Sequence, residues 1–167
     1  MGNVRMLEKT GYLRYSGYFD WPKIYSSMAS WMGKEQLTIY EKVYKDKTDA
    51  QGIAERELTW VCERKKDRMI KYIMEVNLRM WDVQPVEVTK EGKKKKMNRG
   101  RIRIEVTAKI VDDFQGKFEV SKISQKLYKI YSKITGLSFG LGEWDYWYTK
   151  MWELNGEFKK LLGTDTQ

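Results

Sequence analysis

The chain of 167 residues contains no histidine, and this absence excludes whole classes of enzyme. Without imidazole there is no histidine general base, no Ser-His or Cys-His nucleophile, and no zinc or haem site built on histidine. Paired carboxylates stay open, but Asp112 and Asp113 would point in opposite directions in an extended chain. Glu55 and Glu57 could share one face of a strand, but two acids without a defined pocket are a weak signal for a metal site. We expect a protein that is not an enzyme and that holds no cofactor and no metal ion.

Cysteine and long hydrophobic runs are also scarce. Cys62 is the only cysteine, so no internal disulfide can form, and its alternation with Leu58 and Trp60 predicts a core position. No window reaches the roughly 18 apolar residues of a membrane span, and residues 1–7 lack the hydrophobic run of a secretory signal. These absences predict a cytoplasmic protein without a transmembrane segment.

Basic residues, by contrast, are abundant. Lysine and arginine number 32 against 23 acidic residues, which gives a formal net charge of +9. Such an excess favours anionic partners such as nucleic acid or an acidic membrane surface, although a soluble protein can be basic without one. With 41% hydrophobic residues, a chain of this length can close one core, so a single domain spanning 1–167 is expected.

Two stretches, 70–80 and 101–110, alternate apolar and polar residues. A period of two over this length is typical of half-buried antiparallel strands. Pro85 makes 81–89 an edge strand or a bulged continuation, and 91–100 is predicted to be a loop. A hairpin is expected between the strand at 56–64 and the strand that starts at Ile70. Shorter strands are predicted at 12–19, 37–45 and 56–64.

Helical spacing appears in three segments. Asp20 is a candidate N-cap for a first helix that Gly33 should end. Ser121 should cap a second helix that runs to about Thr135, and a third follows over 144–162. The order β-α-β-β-β-β-α-α predicts an α+β fold, with helices on one face of an antiparallel meander sheet. The sheet and first helix would occupy 1–116 and the C-terminal helical pair 121–162.

This order is similar to the helix-grip folds of the START and Bet v 1 families, a likeness of fold that implies no function. The chain also resembles a group of small uncharacterised archaeal α+β proteins over most of its first 115 residues. The matching residues are the Phe19-Asp20 entry to the first helix, Trp31, the strand around Trp60, and the run from Val86-Glu87-Val88 through Gly92-Lys93-Lys94 to Gly100. The resemblance implies no activity.

Two cationic segments are candidate anion-binding sites. Between Lys90 and Arg103 there are eight cations against the single acid Glu91. At a hairpin tip, such charge can track a phosphate backbone, but it can also be a solvated turn. The candidates there are Lys93, Lys94, Lys95, Lys96, Arg99, Arg101 and Arg103. The second segment is a stripe on the helix after Ser121, expected opposite its apolar face and composed of Lys122, Lys126, Lys129 and Lys133.

Aromatic residues are numerous, including seven tryptophans. Most aromatics at strand or helix spacing belong to a core. Beside lysines they can also stack bases, for which the candidates are Tyr12, Tyr15, Tyr18, Tyr40 and Tyr44. One cluster covers too many directions of the last helix to be buried in a small domain, and it predicts an interface with another subunit or partner. Its members are Trp144, Tyr146, Trp147, Tyr148 and Trp152.

The expected function is binding or assembly on an anionic partner, foremost RNA or a ribonucleoprotein. Two alternatives stay open. One is a structural subunit of a homo-oligomer, with the aromatic cluster of the last helix at its interface. The other is a helix-grip pocket for a small apolar ligand, which requires a large cavity between the sheet and the C-terminal helix.

Overall fold

The computed structural model describes residues 6–67, 69–112, 115, 121–134 and 141–164. These residues form strands and helices in the predicted order. The elements are β1 Met6–Phe19, α1 Trp21–Lys34, β2 Thr38–Thr48, β3 Ala54–Lys65, β4 Lys71–Lys90, β5 Lys93–Val111, α2 Lys122–Ile134 and α3 Leu141–Leu162.

The strands form one antiparallel sheet in the order β1-β5-β4-β3-β2. Strands β2 to β5 are a meander, and β1 closes against the outer side of β5. The expected hairpin between β3 and β4 is present: Lys66 N donates to Ile70 O at 2.9 Å. Asp67 stabilises its turn by accepting from the backbone of Met69 and of Ile70. The predicted α+β meander is therefore confirmed.

One face of the sheet carries the core. The even-numbered side chains from Tyr72 to Met80 in β4 and from Ile102 to Ile110 in β5 are buried there, as their alternation predicts, and they pack in one core with side chains of α1 and α3. Trp147 of α3 stacks on Tyr72 at 4.9 Å, and its indole N–H donates to the carbonyl of Ile73 at 3.0 Å. Cys62 is fully buried in this core, as predicted. Because both helices lie on the same side, the opposite face of the sheet is left for polar side chains.

Both predicted N-caps are present. Asp20 Oδ1 accepts from Lys23 N at 3.1 Å, and Ser121 Oγ accepts from Ser124 N at 3.1 Å. The predicted stop at Gly33 is wrong by one residue, since α1 continues to Lys34. Thr135 and the segment that precedes α3 lie outside the described residues.

The predicted loop at 91–100 is wrong. Only Glu91 and Gly92 turn, both with positive φ (51° and 75°), which is the geometry of a two-residue type I′ hairpin. The lysine run after them is the first part of β5, paired in register with β4 from Lys90↔Lys93 onward. The alternative for 81–89 as a bulged continuation is confirmed, because β4 runs through it with a register shift between Trp81 and Gln84.

Candidate nucleic-acid interface

The end of the β4–β5 hairpin extends beyond both neighbouring strands. Pairing of β1 with β5 ends at Phe19↔Asn98, and pairing of β3 with β4 ends at Ala54↔Val83. The remaining two-stranded ribbon, 86–97, is called the arm below. At about 3.3 Å per residue its five residue pairs extend roughly 17 Å from the sheet.

The arm carries all four nominated lysines of the first cationic segment. Lys90 and Lys93 face each other next to the turn, and Lys94 and Lys96 follow, all exposed. Lys95 differs, because it pairs with Asp20 at the start of α1 at 2.8 Å. Partial burial raises the pKa of Asp20, but hydrogen bonds from Lys95 and from the backbone of Lys23 lower it by more, so the net pKa is below its ordinary value.

Acidic residues of the chain form ion pairs with some of the nominated cations but not with others. Arg101 pairs with Asp82 at 2.6 Å, and Arg103 pairs with Glu105. Among the residues that the structure describes, no ion pair engages four of the nominated cations, namely Lys93, Lys94, Lys96 and Arg99. The arm therefore keeps a local positive charge in water.

Beyond the arm, the cations continue along the face of the sheet opposite α1 and α3, called the open face below. Arg99, Arg101 and Arg103 alternate along β5 on this side. Arg103 lies directly opposite Arg14 of β1 and, on its other side, opposite Arg79 of β4. We call Arg14, Arg103 and Arg79 the arginine row. Like charges directly opposite each other destabilise a sheet, so this row costs folding free energy.

Two acidic residues of the open face pair with the arginine row. Glu57 pairs with Arg79 at one end of the row, and Glu105 pairs with Arg103 at its centre. Glu57 of β3 continues the row and accepts from Arg79 at 2.9 Å, with Lys45 3.6 Å away. The hydrogen bond from Arg79 holds the pKa of Glu57 below its ordinary value. Within the described part of the chain, Arg14 has no such acid partner. Arg103 has a buried Nε without a hydrogen-bond acceptor in the described structure, and an unsatisfied buried donor costs folding free energy.

Two hollows flank Arg103. One of about 330 Å³ is bordered by Thr59, Asn77, Arg79 and Glu105. The other, about 460 Å³, is bordered by Arg14, Ser16, Trp81 and Arg101. Both combine guanidinium groups with polar or aromatic neighbours at the open surface. An anion bound in the second hollow would meet Arg14, Arg101 and Arg103. The first hollow is also bordered by the carboxylates of Glu57 and Glu105, which offset its two arginines.

Exposed aromatic rings lie next to these arginines. Tyr12 is 61% exposed, and the Arg103 guanidinium carbon lies 5.8 Å from its ring centroid. Tyr18 is 49% exposed and has Arg99 at 5.9 Å. Such pairs are in the range of cation–π contacts. Of the other nominated tyrosines, Tyr40 and Tyr44 are exposed and Tyr15 is half-buried against the core.

Along the chain, the lysine stripe on α2 and the arm are separated by the length of β5. The arm is the beginning of β5, whereas the chain leads towards α2 from Val111 at the other end of that strand. Lys122, Lys126 and Lys129 are exposed, and the side chain of Lys133 lies outside the described residues. In the order of the chain, the two cationic segments that were expected to act together therefore lie towards opposite ends of β5.

One residue of the aromatic cluster of α3 lies in the core, and the other four are exposed or half-buried. Trp147 is fully buried, so its assignment to an interface is wrong. The rings of Trp144 and Tyr148 are 6.1 Å apart and those of Tyr148 and Trp152 are 5.9 Å apart, along one side of the helix. Tyr146 and Trp152 are exposed and Trp144 and Tyr148 are half-buried. Lys9 of β1 lies 5.5 Å from the Tyr148 ring.

Sequence reasoning missed Arg14 and Arg79 as members of the site. Arg79 falls on the polar side of an alternating strand, and Arg14 lies inside a predicted strand. Their alignment with Arg103 depends on the register between strands, which no single-strand pattern contains.

Comparison with known proteins adds no relative. No protein-family model matches the chain, and no curated protein matches it. The resemblance to archaeal α+β proteins stays a prediction. In the described part of the chain, no helix has the length and apolar character needed to cross a membrane.

Proposed function

We propose that this protein binds single-stranded RNA across the open face of its sheet, with the arm contacting the phosphate backbone. The observation that carries the proposal is the arginine row. Three guanidinium groups lie in register across adjacent strands on the open face, although their mutual repulsion costs stability. A partner with negative charge would offset this repulsion.

The aromatic neighbours favour a single strand over a duplex. Unpaired bases can stack on Tyr12 and Tyr18, whose rings are exposed beside Arg103 and Arg99, whereas the bases of a duplex are already stacked. The hollow bordered by Arg14 and Trp81 offers the same combination of cation and ring. Phosphates would be held by the arginines, and the stacking is tolerant of sequence.

The filled interior favours the outer surface over an internal ligand pocket. Between the sheet and α3, the side chains of Trp147, Met151, Leu154 and Phe158 are at most 1% exposed. They pack against the buried faces of β4 and β5 in one continuous core.

Fluorescence anisotropy with a labelled oligouridine of about twelve nucleotides tests the proposal. The variant Arg14→Gln/Arg79→Gln should bind at least about tenfold more weakly than the wild type at low salt. The matched control Lys34→Gln/Lys159→Gln removes the same charge from exposed positions on the helical side, and it should retain most of the affinity.

Two results would contradict this function. One is the absence of RNA binding at low salt, and the other is an equal loss of affinity in both variants. The single variant Arg14→Gln separates binding from folding, because removing one of two facing arginines should leave the protein as stable or slightly more stable.

A further inference from the structure

Helix α2 exposes an apolar stripe to water. Ile123 is 72% exposed, Leu127 57% and Ile130 54%. Their spacing of four and three residues places them on one side of the helix. The proposed RNA site does not include these side chains, so their exposure calls for a separate explanation.

The lysines of α2 border this stripe and do not lie opposite it, which corrects the sequence-based expectation. With about 100° per residue, Ile123, Leu127 and Ile130 occupy an arc of roughly 60°. The exposed lysines occupy a neighbouring arc of similar width whose centre is about 100° away. These are Lys122, Lys126 and Lys129. No acidic residue occurs in α2.

We propose that α2 binds the surface of an anionic lipid bilayer. An RNA backbone would neutralise the lysines but leave the apolar stripe in water. A bilayer surface satisfies both requirements: the aliphatic side chains enter the acyl boundary, and the lysine stems extend to the headgroup phosphates beside it. The absence of acid from the helix makes its charge complementary to anionic lipid along its whole length.

Co-sedimentation of the full chain with unilamellar vesicles tests this proposal. Vesicles of phosphatidylcholine containing about one-third phosphatidylglycerol should bind the protein, and vesicles of phosphatidylcholine alone should bind it far more weakly. The variant Ile123→Ser/Leu127→Ser should lower partitioning into the anionic vesicles at least about tenfold. Trp152→Ser removes an exposed apolar side chain from α3 and should leave partitioning unchanged. Because all three positions are exposed, circular dichroism should find the variants folded.

Three outcomes would overturn the proposal. The first is that the protein does not sediment with anionic vesicles. Equal sedimentation of Ile123→Ser/Leu127→Ser would mean that the arm or the arginine row adsorbs to lipid by charge alone. A lipid-free dimer that this variant dissociates would mean that a second copy covers the stripe. The RNA affinity of the same variant should equal that of the wild type, so the lipid and RNA proposals fail independently.

Discussion

The carbonyl oxygen of Trp81 lies 2.8 Å from the position that a Cβ atom of Gly100 would occupy. Asp82 O and Val83 Cα are each 3.2 Å from the same position. The bulge in β4 thus packs its backbone directly on β5, where only glycine fits. This contact lies between the arginine row and the arm.

Gly100→Ala should therefore destabilise the protein by about 2 kcal/mol, since the added methyl group meets backbone that cannot rotate away. Gly156→Ala is the matched control. Gly156 lies within α3, and its added methyl would meet nothing within 4 Å, so this variant should gain about 1 kcal/mol. Chemical denaturation measures both. Equal effects of the two substitutions would contradict the account of the bulge.

Removing charge from the arm should change the salt dependence of RNA binding. For single strands, the slope of log K against log salt is about −0.7 per neutralised phosphate. Lys93→Ser/Lys94→Ser should therefore make the slope shallower by about 1.4, if each lysine contacts one phosphate. Anisotropy titrations at several salt concentrations measure this change, with Lys34→Ser/Lys159→Ser as the control of equal charge. An unchanged slope in the arm variant would place the arm outside the binding surface.

Glu143 should contribute stability that disappears in acid. It accepts hydrogen bonds from Lys66 and Tyr72 and so ties α3 to the β3–β4 hairpin. Burial raises the pKa of Glu143, but these two hydrogen bonds lower it by more, so its folded pKa is below the ordinary value. A depressed folded pKa means that the contribution is complete above the unfolded pKa, near 4.3, and is lost as the pH falls through the folded value.

Glu143→Gln should accordingly cost about 1 kcal/mol at neutral pH, and the difference from the wild type should vanish towards pH 3. Urea denaturation at a series of pH values measures it. Glu157→Gln removes an exposed acid that pairs with Lys160 on the same helix, and it should change stability little at any pH. A Glu143→Gln deficit that persists unchanged in acid would contradict the assignment.

Cys62 should report global unfolding. The thiol is fully buried, and burial raises its pKa to about 12. At pH 8 a thiol reagent should label it at least about a thousandfold more slowly in native buffer than in denaturant, because labelling requires the core to open. Rapid labelling without denaturant would mean that the sheet around β3 opens locally.

Most of the fold follows from patterns within single segments. The alternation from Ile70 to Met80 identifies both a strand and its buried face, and Asp20 and Ser121 mark helix starts by hydrogen bonds made within one turn. The lysine run was predicted to be a loop because its composition is that of a solvated segment. Pairing with the β4 segment from Glu87 to Lys90 makes it a strand, and that pairing is a property of two segments together.

The candidate site was predictable only in part for the same reason. Arg101 and Arg103 attract attention as neighbours of the lysine run. Arg14 is 89 residues away from Arg103 in the chain and joins it only through the β1–β5 register. Trp147 could not be separated from its exposed neighbours on α3 by counting aromatics, because its stacking on Tyr72 is a tertiary contact.

Ultraviolet crosslinking of the wild-type protein to oligouridine, followed by mass spectrometry of the crosslinked peptides, tests the central claim most directly. The account predicts crosslinks on the exposed rings of the open face, at Tyr12 and Tyr18, and at Trp81 beside the arginine row. Trp152, which lies on the helical side and is about as exposed as Tyr18, is the internal control. Crosslinks at Trp152 with none at Tyr12, Tyr18 or Trp81 would contradict an RNA-binding role for the open face.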